Sequence, residues 1–306
     1  MKIFRYRPRS GTEPRVAAAV GDGRPQDLLG AWEDREGVGR PQPPQWLTST
    51  AGLIEAGSEV WSEAAALAQA SGHEVDDPIE WLCPLDRLSS LRDFLAFEDH
   101  VARGAQRRGA EVPPYWYSAP VYYKGNHRSI IGPGVECPWP SYTQHLDFEL
   151  ELGMIVGTRG RDLTSAEARR YIFGFTVLND FSARDIQAKE MSAWLGPAKG
   201  KDFATSLGPC IVTVDEVGTQ PDLEMVCRVN DQEWGRARSS EARWSWAEMI
   251  AHVSSAEDIY PGDVYGSGTP GGCCGLDLGR KLTPGDVVEL EVESIGVLRN
   301  RIAAPR

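Results

Sequence analysis

The clearest hydrophobic alternation in the chain runs through Leu146-Asp147-Phe148-Glu149-Leu150-Glu151-Leu152. Successive side chains of a strand point to opposite faces, so this segment predicts a strand over 146–152. Leu146, Phe148, Leu150 and Leu152 then share an apolar face, and Asp147, Glu149 and Glu151 an acidic one. Val287-Val288-Glu289-Leu290-Glu291-Val292-Glu293, Ile211-Val212-Thr213-Val214 and Lys2-Ile3-Phe4-Arg5-Tyr6 also read as strands, from alternation and β-branched content. Turn signals stand beside them: Gly21-Asp22-Gly23, Pro261-Gly262-Asp263 and Pro284-Gly285-Asp286. Helical signals are sparser. The Ala-rich stretch from Ser58 to Gln69 predicts one helix, ended by Ser71-Gly72. Thr164 with Glu167, and Ser245 with Glu248, have capping-box spacing and mark two more helix starts. Residues 37–44, rich in Gly, Pro and Gln, predict a loop.

This balance predicts a mainly β chain with a few helices, an α+β class. It also suggests a small N-terminal α+β domain over residues 1–80, ending near Pro78 to Pro84, and a main domain over 81–306. The chain of 306 residues is 41% hydrophobic and 25% charged, enough for a full core. Its formal net charge of -12 argues against nucleic acid or an anionic membrane as partner. No apolar run approaches the roughly 18 residues of a transmembrane helix. The stretch Val16 to Val20 after the basic start is shorter than a signal-peptide core, so a cytoplasmic location is expected. Six cysteines show no C-x-x-C spacing, and Cys273-Cys274 are adjacent, which fits free thiols in a reducing compartment.

Glu149 and Glu151 stand about 7 Å apart along a strand, by its rise per residue. An E-x-E pair is most simply a solvent-facing strand edge. A cation between the two would equally relieve their repulsion. Oxygen ligands favour Mg²⁺, with Mn²⁺ or Ca²⁺ possible, over Zn²⁺, which prefers nitrogen and sulfur. The five histidines are scattered, with His100 seven residues after Asp93. Trp116, Tyr117, Tyr122 and Tyr123 hint at an aromatic-lined pocket or at plain core.

Five blocks change these weights. They are Arg92-Asp93-Phe94 with His100; Leu146 to Glu151; Leu178-Asn179-Asp180-Phe181-Ser182-Ala183-Arg184-Asp185-Ile186-Gln187; Leu195 to Phe203; and Gly266-Ser267-Gly268-Thr269-Pro270-Gly271-Gly272. In this order, over roughly residues 85–300, they resemble the fumarylacetoacetate hydrolase family. The resemblance implies a mixed β-sandwich roll after a small N-terminal domain, in a homodimer. It implies Asp93, Glu149, Glu151 and Asp180 as metal ligands and His100 as general base. Lys201 would lie beside the metal and, with Gln187, steady an oxyanion. Arg184, Tyr123 and Thr269 would contact substrate. The expected activity is metal-dependent cleavage of a C–C bond in a 1,3-dicarbonyl or acylpyruvate-type 2-oxo acid through an enolate. Non-hydrolytic enolate chemistry (decarboxylation, tautomerisation, dehydration or cyclisation) is the alternative, and a ligand-binding relative without catalysis a third. One departure stands out. In the acylpyruvase-like branch a glutamate three residues after the histidine pairs with it, and here that place is Arg103. Longer hydrolases take the partner from a segment after the glycine-rich turn, and Cys273-Cys274-Gly275-Leu276-Asp277 offers no evident equivalent by sequence.

Overall fold

The structure, a computed structural model, describes residues 1–8, 11, 13–37, 41–70, 72–75 and 79–305. Residues 38–40 of the loop predicted over 37–44, the helix stop at Ser71 and the boundary mark at Pro78 lie outside the described residues. Among the described residues, an eleven-stranded sheet has a path of nine strands. In spatial order they are Gln26–Asp27, Arg15–Ala19, Lys2–Pro8, Thr205–Thr213, Ile172–Asp180, Leu150–Val156, Asp263–Gly266, Ser90–Phe94 and Tyr122–Gly125. A five-stranded sheet runs Gln232–Arg238, Glu224–Val229, Val287–Val292, Gly296–Pro305 and Cys137–Trp139. The chain is of mixed α and β structure, as the patterning predicts.

The large sheet is covered on both faces. Leu150, Leu152, Met154 and Val156 enter one core with Phe175, Val177, Leu290 and Leu298. Ile155, Phe173, Leu178, Leu207 and Ile211 enter a second core with Leu28, Trp32, Leu47 and Leu53 of the N-terminal region. That region joins the sheet directly, because Lys2 and Ile3 pair with Val212 and Ile211. The predicted helix appears as Ser58–Ala68. Both capping boxes form, starting Ser165–Ala168 and Trp246–Ser254.

The strand predicted over 146–152 is interrupted. Leu146–Asp147 pairs with Ser182–Ala183 in a separate two-stranded ladder, and Leu150–Val156 belongs to the large sheet. Between them Glu149 makes an isolated bridge to Cys274. The apolar face survives this break, since Leu146, Phe148, Leu150 and Leu152 all enter one core. The acidic face is not a solvent edge: Glu149 is 6% exposed and Glu151 1%.

Candidate functional site

Strand register assembles the acids. Asp93 pairs with Tyr123 on one side and Gly266 on the other, and Gly266 pairs in turn with Gly153. Glu151 lies two residues before Gly153, on the same face, and pairs with Leu178, two residues before Asp180. Carboxylate oxygens of Asp93, Glu151 and Asp180 come within 4.8 Å of one another. Gly266 makes this possible: a Cβ there would stand 2.6 Å from Glu151 Oε2 and 2.7 Å from Asp93 Oδ1.

Asp93 Oδ1 and Asp180 Oδ1 are buried without a hydrogen-bond partner. Tyr123 donates its hydroxyl to Asp180 Oδ2 at 2.8 Å, and the Gly268 N–H donates to Glu151 Oε2 at 2.9 Å. Burial, then the charge of Asp180, pushes the Asp93 carboxyl well above the usual range. Burial, then Asp93 and Asp180, does the same to Glu151. Unsatisfied carboxylate oxygens around a cradle that a side chain would fill are the donor set of a hard divalent cation. Asp93, Glu151 and Asp180 therefore fit Mg²⁺ or Mn²⁺.

Glu149 is placed differently. Lys201 Nζ donates to Glu149 Oε2 at 2.5 Å and also to Asp180 Oδ2. Arg184 Nη2 donates to Glu149 Oε1 at 2.8 Å, while its Nε donates to Asp147 Oδ2 at 2.8 Å. Burial opposes ionisation of Glu149, but Arg184 and Lys201 hold its carboxyl far below the usual range. Arg184 opens the helix Arg184–Ser192 directly after the short strand that pairs with Leu146–Asp147, which fixes it against these acids. Its Nη1 donates to Gln187 Oε1 at 3.2 Å, one turn along. The guanidinium thus lies in the site committed to two carboxylates.

His100 projects from the helix Glu98–Arg107, and its Nδ1 stands 2.8 Å from Asp277 Oδ2. Its Nε2 is left 3.7 Å from Glu149 Oε1. Asp277 also accepts from the Gly272 N–H at 3.1 Å and from Arg107 Nη1 at 2.9 Å. Burial opposes its ionisation, but the hydrogen bond and charge of His100 lead in holding its carboxyl below the usual range. This corrects the expectation that the segment after the glycine-rich turn holds no partner for His100. The short helix Gly275–Leu278 turns Asp277 back toward the imidazole. Gly275 and Leu276 donate their N–H groups to Asp147, pinning that helix to the site. Arg103 is occupied elsewhere, with its Nε 2.9 Å from Asp99 Oδ2 on the same helix.

Comparison with known proteins shows the family to which this fold belongs. Residues 90–303 match the family described as fumarylacetoacetate (FAA) hydrolase, C-terminal. The chain belongs to the fumarylacetoacetate hydrolase family. It is similar to human mitochondrial oxaloacetate tautomerase FAHD2A, at 35% identity over 99% of this chain and 91% of that protein. A fumarylacetoacetate hydrolase from Exiguobacterium antarcticum superposes with a TM-score of 0.78 at 27% identity, covering 99% of both chains. A fumarylpyruvate hydrolase from Pseudomonas aeruginosa, solved with Mn²⁺ and pyruvate, shares the fold, with a TM-score of 0.62. Its identity is 21%, over 74% of this chain and 92% of that one.

In this family member a cavity of about 290 Å³ gathers all ten candidate residues. Asp93, His100, Tyr123, Glu149, Glu151, Asp180, Arg184, Gln187, Lys201 and Thr269 line it, with Leu95, Val121, Tyr122 and Met191 as apolar wall. Thr269 is buried and donates its hydroxyl to Cys273 O at 3.3 Å. Of the aromatic group, Tyr122 and Tyr123 reach the cavity. Trp116 packs beneath, donating its indole N–H to Leu95 O, and Tyr117 bonds Glu98. Sequence reasoning missed Asp277, the bridging role of Asp147 and the Gly268 N–H. An acid on a short Gly-bounded segment after the glycine-rich turn was the available signal for Asp277.

Proposed function

We propose that the protein is a divalent-cation-dependent tautomerase that interconverts the keto and enol forms of a small 2-oxo dicarboxylic acid of the oxaloacetate type. The observation that carries this reading is the His100–Asp277 pair, which turns one imidazole nitrogen toward the cavity beside the acids. Keto–enol exchange needs one group that takes a proton from carbon and returns it to oxygen or carbon. His100 supplies that group, and Asp277, bonded to Nδ1, fixes the ring's orientation and tautomer so that the Nε2 lone pair is available. Lys201 is buried, yet Asp180 and Glu149 keep it protonated, so it stabilises enolate oxygen by charge. Gln187 and Tyr123, which also line the cavity, orient the substrate. Asp93, Glu151 and Asp180 would hold a Mg²⁺ or Mn²⁺ ion, which when bound would supply Lewis-acid polarisation of a substrate carbonyl. The human relative named as an oxaloacetate tautomerase supports this choice within the family.

C–C hydrolysis of an acylpyruvate is the second reading. The same His100–Asp277 pair favours it, because an oriented imidazole also deprotonates water. One experiment separates them. Enol-oxaloacetate and an acylpyruvate are offered in parallel with Mg²⁺ and with chelator, following enol absorbance and released carboxylic acid. Cation-dependent loss of enol without carbon–carbon cleavage is expected. Release of carboxylic acid at a rate exceeding tautomerisation overturns the proposal in favour of hydrolysis.

A small oxo-acid as ligand and assembly as a homodimer are also proposed, from family membership; light scattering at micromolar concentration tests the dimer. All six cysteines are free, which supports a reducing compartment. Among the described residues no helix is long and apolar enough to cross a membrane.

A further inference from the structure

One wall of the cavity is fastened by a side chain that is not part of its lining. Arg184 and Gln187 stand three residues apart on the helix Arg184–Ser192, and Glu190 follows at the same spacing. Residues three apart are neighbours on a helix surface. Gln187, Met191, Gly196, Pro197 and Lys201, from this helix and the segment after it, line the cavity, whereas Glu190 is not among the described lining residues. Its carboxylate instead accepts three consecutive backbone N–H groups: Lys199 at 2.7 Å on Oε1, and Ala198 and Gly200 at 2.9 and 3.1 Å on Oε2. Hydrogen bonds to a charged acceptor are roughly twice as strong as neutral ones. Gly200 permits the close approach, since a Cβ there would stand 2.8 Å from Gln187 Cα. Lys201 and Asp202 donate their N–H groups to Ala198 O at 2.8 and 2.7 Å, so a turn fixed at 198 is also fixed at 201.

We infer that Glu190 is a positioning residue for Lys201: its carboxylate clamps residues 198–200 to the helix and so fixes the point from which the Lys201 side chain enters the cavity. An ammonium group has three donors. Lys201 gives two of them to Glu149 and Asp180, which leaves one for a substrate oxygen. With two donors committed, the direction of the third is set by where the four-carbon stem leaves the backbone. Ala198 and Lys199 are exposed, so N–H groups released there return to water at little cost. Tyr142 Oη also holds Lys199 O at 2.9 Å, and the Asn126 side-chain amide holds Asp202 O at 3.1 Å. Loss of the Glu190 carboxylate therefore loosens the turn without unfolding the chain, and the effect falls on the cation. The consequence for substrate rests on the reading of Lys201 as the charge that faces the enolate oxygen. The clamp itself does not.

The test uses the full chain with excess Mg²⁺ and reads three quantities: amide hydrogen exchange at 198–200, Mn²⁺ affinity, and calorimetric affinity for oxalate, a planar dianion that presents two oxygens as an enolised 2-oxo acid does. Glu190→Ala should speed exchange at 198–200 at least about tenfold. It should leave Mn²⁺ affinity unchanged and weaken oxalate about tenfold, the scale of one hydrogen bond to a charged group. Glu190→Gln, which keeps one acceptor oxygen, should recover part of both losses, and it carries the same readings if the alanine variant does not fold. The deciding measurement is a double-mutant cycle. In a Lys201→Met protein, or Lys201→Gln if that variant does not fold, Glu190→Ala should weaken oxalate no further, because the residue it positions is gone. Unchanged exchange at 198–200 overturns the clamp. Faster exchange with oxalate bound as in wild type, or losses that simply add in the cycle, overturns the positioning role. The expected oxalate losses in a protein that shows no tautomerisation would leave the role of Glu190 standing and remove the proposed activity.

Discussion

Glu149 and Glu151 are two residues apart, both buried, both in the same cavity, and electrostatically opposite. Glu149 sits between two cations, Arg184 and Lys201, which hold it ionised. Glu151 faces two more acids, Asp93 and Asp180, and receives one backbone N–H. One side of the cavity is thus neutralised by the protein's own cations, and the other has the donor set that an ion from outside would neutralise. A cavity with four carboxylates and two paired cations would repel an anionic oxo acid, so under the proposed function a bound cation would serve substrate binding as well as chemistry.

The sharpest break of this comparison is to remove an acid from the cation-poor side. Asp93→Asn or Glu151→Gln should cost about 10³-fold or more in kcat/KM, since a Lewis-acid contribution of several kcal/mol is lost. Calorimetric Mn²⁺ binding should weaken in step; a variant that binds Mn²⁺ like wild type places the ion elsewhere. Next in size is the base. His100→Ala should lower kcat by about 10²–10⁴-fold while Mn²⁺ affinity stays unchanged. Asp277→Asn should lower kcat less than His100→Ala and shift the acid limb of the pH–rate profile, because it changes the imidazole's partner. A variant equal to wild type in both would remove Asp277 from the mechanism.

The third experiment tests the contrast in stability, in chelator at pH 7, by thermal unfolding. Glu149→Gln should destabilise by about 3 kcal/mol, because it leaves buried cations short of a partner. Glu151→Gln should stabilise by about 1 kcal/mol, because it relieves repulsion among buried acids. Changes of the same sign would refute the division of the cavity. The pH dependence follows from the same shifts. Glu151 and Asp93 have raised carboxyl pKa values in the folded state, so the folded protein binds more protons. Their contribution is fully present below the ordinary carboxylate range and is lost as pH rises from there through the raised values. The advantage of Glu151→Gln should therefore shrink as pH falls. Glu149, with a lowered pKa, contributes above the ordinary range and loses that contribution only in strong acid. The smallest effect belongs to Arg103→Glu. It removes an exposed pair with Asp99, worth a few tenths of a kcal/mol, and should not raise turnover, since Asp277 already holds His100.

Local rules made much of this legible in sequence. Capping boxes at Thr164 and Ser245 and the Ala-rich helix at Ser58 act within a few residues and formed as expected. The apolar face of 146–152 was readable because core burial follows side-chain alternation. Ile172–Asp180 carries no such alternation, because both faces of that central strand are buried. The acids of the site could be named from the resemblance, since each lies in a recognisable block.

What the sequence by itself determined was therefore the kind of chain, its strand-rich pattern and the candidate residues of its site. Tertiary structure decided how those residues divide the work. Register across five strands, set by pairings distant in sequence, placed Glu151 among acids, while a break in one strand turned Glu149 to the cations. The partner of His100 lies 177 positions away and is brought in by a helix of four residues. A carboxylate's environment is set by whatever surrounds it in space, and at these positions almost every neighbour comes from another part of the chain.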